Sequence, residues 1–164
     1  MIYLDTSAMV KLVVRENESE ALIDWINDLT DSEFVESAQR GVRPARTDCC
    51  TAEIGRIELL RAALRVGNTA QPIARGTQEA ATAEPDAAVA ARRVLERVDV
   101  LLMTPEISTL AETVAPADLR TLDAVHLATV LANQSIVSTV CAYDHRLIEA
   151  CAHHGIEVAS PGAN

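Results

Sequence analysis

The sequence predicts an α/β domain built on a mainly parallel sheet, and three observations carry that reading. Short apolar runs alternate with helical segments of ten or more residues, the spacing that crossovers between parallel strands require. Nearly half of the 164 residues are apolar (49%), enough for one real core. Acidic residues stand where the apolar runs stop, at the edge where open α/β sheets hold their ligands. Tyr3, Trp25, Phe34 and Tyr143 are the whole aromatic complement, so that core is aliphatic. The length suits a single domain over residues 1–164.

The elements follow in chain order. Met1 to Leu4 form an apolar run fit for a buried strand, which stops at Asp5. Asp5-Thr6-Ser7 offers short polar side chains to the free N–H groups of a first helical turn, and a helix is expected over 8–14. Ala21, Leu22, Trp25, Ile26 and Leu29 recur at helical spacing in a helix over 18–29, as a stripe for the core or for a partner. Residues 31–47 are polar and arginine-rich, with Gly41 and Pro44, and read as a loop or insertion. Cys49 to Leu64 reads as a helix, with Ile54, Ile57, Leu60, Arg61 and Leu64 on one side and Thr51 or Asp48 as its cap. Residues 66–85 hold two glycines and two prolines and read as a flexible connection or insertion. A helix over 86–97, a strand over 98–105 and helices over 106–114 and 122–132 come next. Ser135 to Ala142 reads as a strand, His145 to His154 as the last helix, closed by Gly155, and 156–158 as a terminal strand.

Charge narrows the function. With 24 acids against 14 bases the net charge is −10, which argues against a protein whose main task is coating a phosphate backbone. The few aromatics argue against stacking platforms for single strands. Neither point excludes a nuclease, because metal-dependent phosphodiester chemistry needs acids at its centre. Residues 16–36 contain eight acids and no base, whereas residues 40–65 contain six arginines and three acids. Arg61 and Arg65, one turn apart, read as a phosphate-contacting stripe or as ion-pair partners of the many acids. Arg120 and Arg146, each beside an acid, suit contact with a substrate backbone or support of a carboxylate. Cys49, Cys50, Cys141 and Cys151 lack zinc or redox spacing and read as buried thiols of a reducing cytoplasm. No apolar run approaches the roughly 18 residues of a membrane span, and the start lacks the basic region of a signal peptide.

Four acids stand out by position. Asp5 follows the first strand, Asp144 follows the strand ending at Ala142, and Asp123 opens the helix LDAVHLATVLA. Glu58 interrupts the aliphatic stripe between Ile57 and Leu59. Converging carboxylates repel one another, and a divalent cation removes the conflict. Oxygen donors without a Cys/His set suit Mg²⁺ or Mn²⁺. Thr6 or Ser7 could orient groups at such a site. The competing reading is structural: Asp5 and Asp123 both occupy plausible capping positions. Glu53 lies roughly 140° from Glu58 around the helix and is expected in solvent. His126 reads as a satisfied, partly buried histidine in preference to a ligand, and His145, His153 and His154 are expected to face solvent. There is no G-x-S-x-G and no Gly-rich phosphate loop.

Four segments, MIYLDTSAMVKL (1–12), TAEIGRIELLRAALR (51–65), LRTLDAVHLATVLA (119–132) and AYDHRLIEACAHHGIEVASPG (142–162), together resemble the PIN-domain family. They resemble most closely the VapC-type toxins of bacterial type II toxin–antitoxin systems. The resemblance implies a PIN-like three-layer α/β/α sandwich with a mainly parallel central sheet. It implies that Asp5, Glu58, Asp123 and Asp144 bind Mg²⁺ or Mn²⁺ as the catalytic set, with a hydroxyl from Thr6 or Ser7. The implied activity is a metal-dependent endoribonuclease, hydrolysing phosphodiester bonds of RNA such as tRNA or rRNA. The implied partners are a cognate antitoxin, whose C-terminal segment fills the cleft, and a second copy in a homodimer. Ala142 stands where many relatives carry Thr before the Tyr-Asp pair, and the segments 31–47 and 66–85 look expanded. The alternative is a catalytically weak or inactive PIN-like module that binds RNA or protein. A DNase or flap nuclease would need longer duplex-binding insertions than this length allows.

Overall fold

A computed structural model of the chain describes residues 1–30, 48–70 and 86–163. Five short strands, β1 (Ile2–Leu4), β2 (Cys49–Ala52), β3 (Asp99–Leu101), β4 (Thr139–Cys141) and β5 (Val158–Ala159), form one sheet in the order β3-β2-β1-β4-β5. All four pairings are parallel, with Ile2 opposite both Cys49 and Thr139. The helices are α1 (Thr6–Val13), α2 (Ser19–Thr30), α3 (Glu53–Ala70), α4 (Asp86–Leu95), α5 (Pro105–Thr113), α6 (Thr121–Ala132) and α7 (His145–His153). This is the three-layer sandwich that the sequence predicts.

Strand periodicity separates the two faces, because successive side chains point to opposite sides. Ile2, Leu4, Cys49 and Cys141 face a core with Met9, Leu22, Ile26, Leu59, Ala91 and Val94, supplied by α1 to α4. Tyr3, Cys50, Ala52, Val140 and Ala142 face the other core with Val114, Leu127, Val130, Leu147 and Cys151, supplied largely by α6 and α7. The α2 stripe serves the first core, since Leu22 and Ile26 are fully buried and Trp25 packs on them, while Leu29 lies outside at 58% exposure. All four cysteines are free and buried.

Three expectations need correction. Residues 49–52 are a strand, not the start of a helix. Cys49, Cys50, Thr51 and Ala52 are buried without exception, and the strand pairs with β1 on one side and β3 on the other. No turn residue separates β2 from α3, so the helical periodicity that begins at Glu53 runs on from the strand without a break in the letters. On α3 the buried face is Gly55, Leu59 and Ala63, whereas Ile57 and Leu64 are exposed. The helix also continues through 66–70, which the sequence assigned to a connection. Residues 31–47 and 71–85 lie outside the described residues.

Caps define the helix ends that matter. Asp5 caps α1 by accepting the Ser7 N–H at 3.0 Å, and Asp144 caps α7 by accepting the Arg146 N–H at 2.9 Å. Thr104 caps α5 just before Pro105. At the other end of α7, Gly155 takes φ +68°, which a side chain disfavours. The Gly155 N–H then bonds Ala152 O and the Ile156 N–H bonds Cys151 O, closing the helix where the sequence placed its end.

Candidate metal centre

The strand order reverses beside β1: the chain builds outward through β2 and β3, then returns to place β4 on the opposite flank. Ligands bind at such a switch point, outside the carboxyl ends of the strands. A cavity of about 480 Å³ opens there, and all four predicted acids, Asp5, Glu58, Asp123 and Asp144, line it with Thr6, Ser7, Arg120, Thr121, Leu122 and His126.

Each acid arrives on a different element. Asp5 comes directly off β1, its N–H bonded to Cys141 O at 3.0 Å, so β4 fixes its backbone. The adjacent Leu4 carbonyl is taken by the buried Thr51 hydroxyl at 2.8 Å, which extends the register beyond the last β1–β2 pair. Glu58 projects from the second turn of α3, Asp123 from the first turn of α6, and Asp144 from the residue before α7. Gly55 allows α3 this close: a Cβ there would lie 2.6 Å from Thr51 Oγ1 and 3.1 Å from His126 Cε1.

Hydrogen bonds hold most of these carboxylates. Ser7 donates both its N–H (3.0 Å) and its hydroxyl (2.5 Å) to Asp5 Oδ2, and Ser7 Oγ in turn accepts the Tyr143 N–H. Thr6 donates to Glu58 Oε2 at 2.6 Å, and His126 Nε2 lies 2.9 Å from the same oxygen. A carboxylate only accepts, so Nε2 carries the hydrogen. The other ring nitrogen, Nδ1, meets the Tyr3 hydroxyl at 2.6 Å. His126 is 2% exposed and both nitrogens are engaged, as expected of a satisfied histidine, yet it also sits 3.7 Å from Asp5 Oδ1.

Asp123 differs from the rest. Its Oδ2 is buried and has no hydrogen-bond partner. Burial raises its carboxyl above the ordinary range, and the charges of Asp144 and Asp5 raise it further, against smaller opposing effects of His126 and Arg120. Glu58 moves the other way: the His126 hydrogen bond holds it low against the effect of burial, and Thr6, His126 charge and Arg65 add to the lowering. For His126, burial works to lower the pKa, but the Glu58 hydrogen bond and the charges of Asp5, Glu58 and Asp123 raise it overall.

The donor set suits a hard divalent cation. It consists of carboxylate oxygens with no thiolate, and the orphaned Asp123 Oδ2 is the atom that a cation would satisfy. As the side chains stand, no three His, Cys, Asp or Glu among the described residues close on one ion, and Asp5 Oδ2 and Glu58 Oε2 are engaged in hydrogen bonds.

The other expectations fall into place around this cavity. Both hydroxyls touch an acid, Thr6 on Glu58 and Ser7 on Asp5. Glu53 stays out of the cavity but is partnered, accepting the Met103 N–H at 3.1 Å. Arg120 lines the cavity, and Arg146 contributes its backbone N–H to Asp144. His145 and His153 are exposed, whereas His154 is half-buried with Nε2 2.8 Å from Ala115 O. The side chain of Ala142 is wholly buried in the second core. Tyr3 and Gly55 carry no site expectation in the sequence, and Thr51 enters there only as a helix cap, whereas its hydroxyl bonds the Leu4 carbonyl. The available signals were that Tyr3 shares the strand phase of Asp5, and that Thr51 and Gly55 stand four apart.

Comparison with known proteins agrees with this architecture. The PIN domain model matches residues 2–153. The chain is 36% identical over 163 residues to Ribonuclease VapC47 of Mycobacterium tuberculosis, covering 99% of this chain and 98% of that protein. It is 34% identical over 160 residues to Ribonuclease VapC46 of the same species, covering 98% and 97%. The crystal structure of FitAcB from Neisseria gonorrhoeae superposes with a TM-score of 0.56 at 15% identity over 98% of each chain, a likeness of fold. The chain belongs to the PIN-domain family, among its VapC-type members.

The charge arrangement predicts opposite signs with and without metal. Because the Asp123 carboxyl is raised in the folded state, its ionised form costs stability once pH exceeds the carboxylate range, so the full cost is present at pH 7. Metal-free Asp123→Asn should therefore melt above the metal-free parent at pH 7. Addition of Mg²⁺ should raise the melting temperature of the parent and leave the variant nearly unmoved. Thermal denaturation with EDTA and with Mg²⁺ reads both signs.

Proposed function

We propose that this chain is a Mg²⁺- or Mn²⁺-dependent endoribonuclease toxin, hydrolysing RNA phosphodiester bonds and inhibited by a cognate antitoxin. The observation that carries the proposal is the cavity that four carboxylates line, one with a buried oxygen that has no protein partner. End-to-end identity to ribonucleases supports the substrate class. Asp5, Glu58, Asp123 and Asp144 would hold the cation. When bound, a divalent ion supplies Lewis acidity that activates water and offsets phosphate charge. The chain's own groups do the rest: Ser7 and Thr6 fix the orientation of Asp5 and Glu58, and Arg120 lies at the cavity wall for a phosphate oxygen.

The antitoxin fits as a basic segment entering an acidic cavity, and the net charge of −10 favours that encounter. Structured RNA such as tRNA or rRNA is the proposed substrate. The proposal treats residues 1–164 as one domain and places it in the cytoplasm. Buried free thiols support that location, and no helix among the described residues is long and apolar enough to cross a membrane. It extends to a homodimer, because Ile57 and Leu64, two turns apart on α3, are 51% and 41% exposed. Light scattering should read twice the chain mass, and Ile57→Lys should return it to one.

Cleavage of total RNA by the purified chain should require Mg²⁺ or Mn²⁺ and stop in EDTA. Asp5→Asn and Asp123→Asn should each slow it by about 100-fold or more, several kcal/mol of barrier. Equal cleavage by the parent and Asp5→Asn, or cleavage without divalent ions, would sink the proposal. RNA retention by an inert Glu58→Gln chain without metal uptake would point to the binding-module alternative.

Arg61 and Arg65 bear on affinity. They lie three and seven residues beyond Glu58, on the same side of α3, and both are exposed. Replacing both by Gln should raise KM with little change in kcat and reduce the salt slope of RNA binding by about 2. An unchanged salt slope would assign them to surface ion pairing instead.

A further inference from the structure

His126 joins parts of the molecule that the sheet otherwise keeps apart. Tyr3 lies on the central strand and points into the core beneath α6, which carries His126. Glu58 lies on α3, whose buried residues Leu59 and Ala63 belong to the core on the opposite face. The imidazole passes over the carboxyl end of the sheet and connects the two, with Nδ1 on the Tyr3 hydroxyl and Nε2 on Glu58. Tyr3 is fully buried and His126 is 2% exposed, so water cannot replace either partner cheaply. The rings meet edge to face with centroids 6.0 Å apart. Nε2 carries the hydrogen that faces Glu58, and Nδ1 and the Tyr3 hydroxyl share the second hydrogen bond.

We propose that Tyr3 and His126 form a buried positioning pair that fixes the Glu58 carboxylate at the cavity wall for cation binding. The inference rests on the metal-dependent reading of the site and adds residues outside the four acids. Neither residue need touch the ion or the RNA. Their effect is transmitted through the orientation of one carboxylate, as neighbours of metal-binding groups commonly act. Thr6 grips the same Glu58 oxygen from α1, so α1 and α6 together determine which way the α3 acid faces.

The test uses the full chain and Mn²⁺, with the free ion counted by electron paramagnetic resonance. The parent should bind Mn²⁺, and Asp123→Asn should abolish that binding. His126→Leu should raise the Mn²⁺ Kd by about 10- to 100-fold, whereas His126→Gln, which keeps a donor facing Glu58, should stay within about 3-fold of the parent. Tyr3→Phe preserves the packing and should weaken binding by about 3- to 10-fold. In the metal-free chain, nuclear magnetic resonance should show a protected Nε2 proton on His126 that exchanges faster in Tyr3→Phe. A folded His126→Leu with parental Mn²⁺ affinity overturns the pair while leaving the nuclease reading intact. So does His126→Gln binding as weakly as His126→Leu, since that marks a packing role alone. If His126→Leu does not fold, unchanged affinity and proton exchange in Tyr3→Phe overturn it equally. Absence of Mn²⁺ binding by the parent overturns both this inference and the reading beneath it.

Discussion

Several carboxylates sharing one small cavity impose a cost in like-charge repulsion, and the structure around them is organised by how that cost is met. Asp5 is held by two donors from Ser7, Glu58 by Thr6 and His126, and Asp144 by the N–H of Arg146. Each of these bonds replaces one that bulk water would otherwise make to the carboxylate. Asp123 has no such compensation at Oδ2, and the charges of Asp144 and Asp5 act on it directly. Three of the acids thus have donors within the chain, and the fourth keeps one buried carboxylate oxygen without a hydrogen-bond partner.

Topology explains how acids so far apart in sequence come to share that cavity. Parallel strands all finish at one edge, so the residues that follow them also collect there. The reversal beside β1 then opens a gap between helices on opposite faces, and α3 and α6 lean across it. Their approach depends on the absence of a side chain at Gly55, where a Cβ would meet both Thr51 and His126. Thr51 serves a second purpose by holding the Leu4 carbonyl, one residue before Asp5. A substitution at Gly55 would therefore disturb the site through the backbone beneath Asp5 and through the imidazole beside Glu58.

The fold class was legible from local rules, apolar runs of strand length above all, and acids at strand ends with helical spacing around Glu58 singled out the four carboxylates that line the cavity. The boundary at residues 49–53 was not. A buried strand of small residues running without a turn into a helix carries no punctuation, and Cys-Cys-Thr-Ala fits either state until its neighbours pair with it. The choice between capping and metal binding also could not be made from spacing, and the structure shows why. Asp5 and Asp144 each cap a helix with one oxygen while lining the cavity, so capping does not take them away from it. Asp123 lies within the first turn of α6 and does not cap it, since Arg120 occupies that position. The Tyr3–His126–Glu58 chain was hidden because it links residues 123 and 68 positions apart, through contacts that only the folded sheet creates.

The net charge of −10 bears on this site less than its size suggests. Glu20, Asp24 and Asp28 repeat every four residues along α2 and are exposed, but no residue of α2 lines the cavity. At physiological salt an exposed charge is screened beyond about 8 Å, so such a stripe acts on its own surroundings. What a polyanion meets near the cavity is set locally, by Arg120 at the wall and by Arg61 and Arg65 along the Glu58 side of α3. Arg65 is near enough to help lower the Glu58 pKa, which ties the arginine run electrostatically to the acids it adjoins. An acidic protein can therefore admit a phosphate backbone along one narrow approach while the remainder of its surface repels it. The same segregation disfavours the nonspecific coating that a uniformly basic surface would produce.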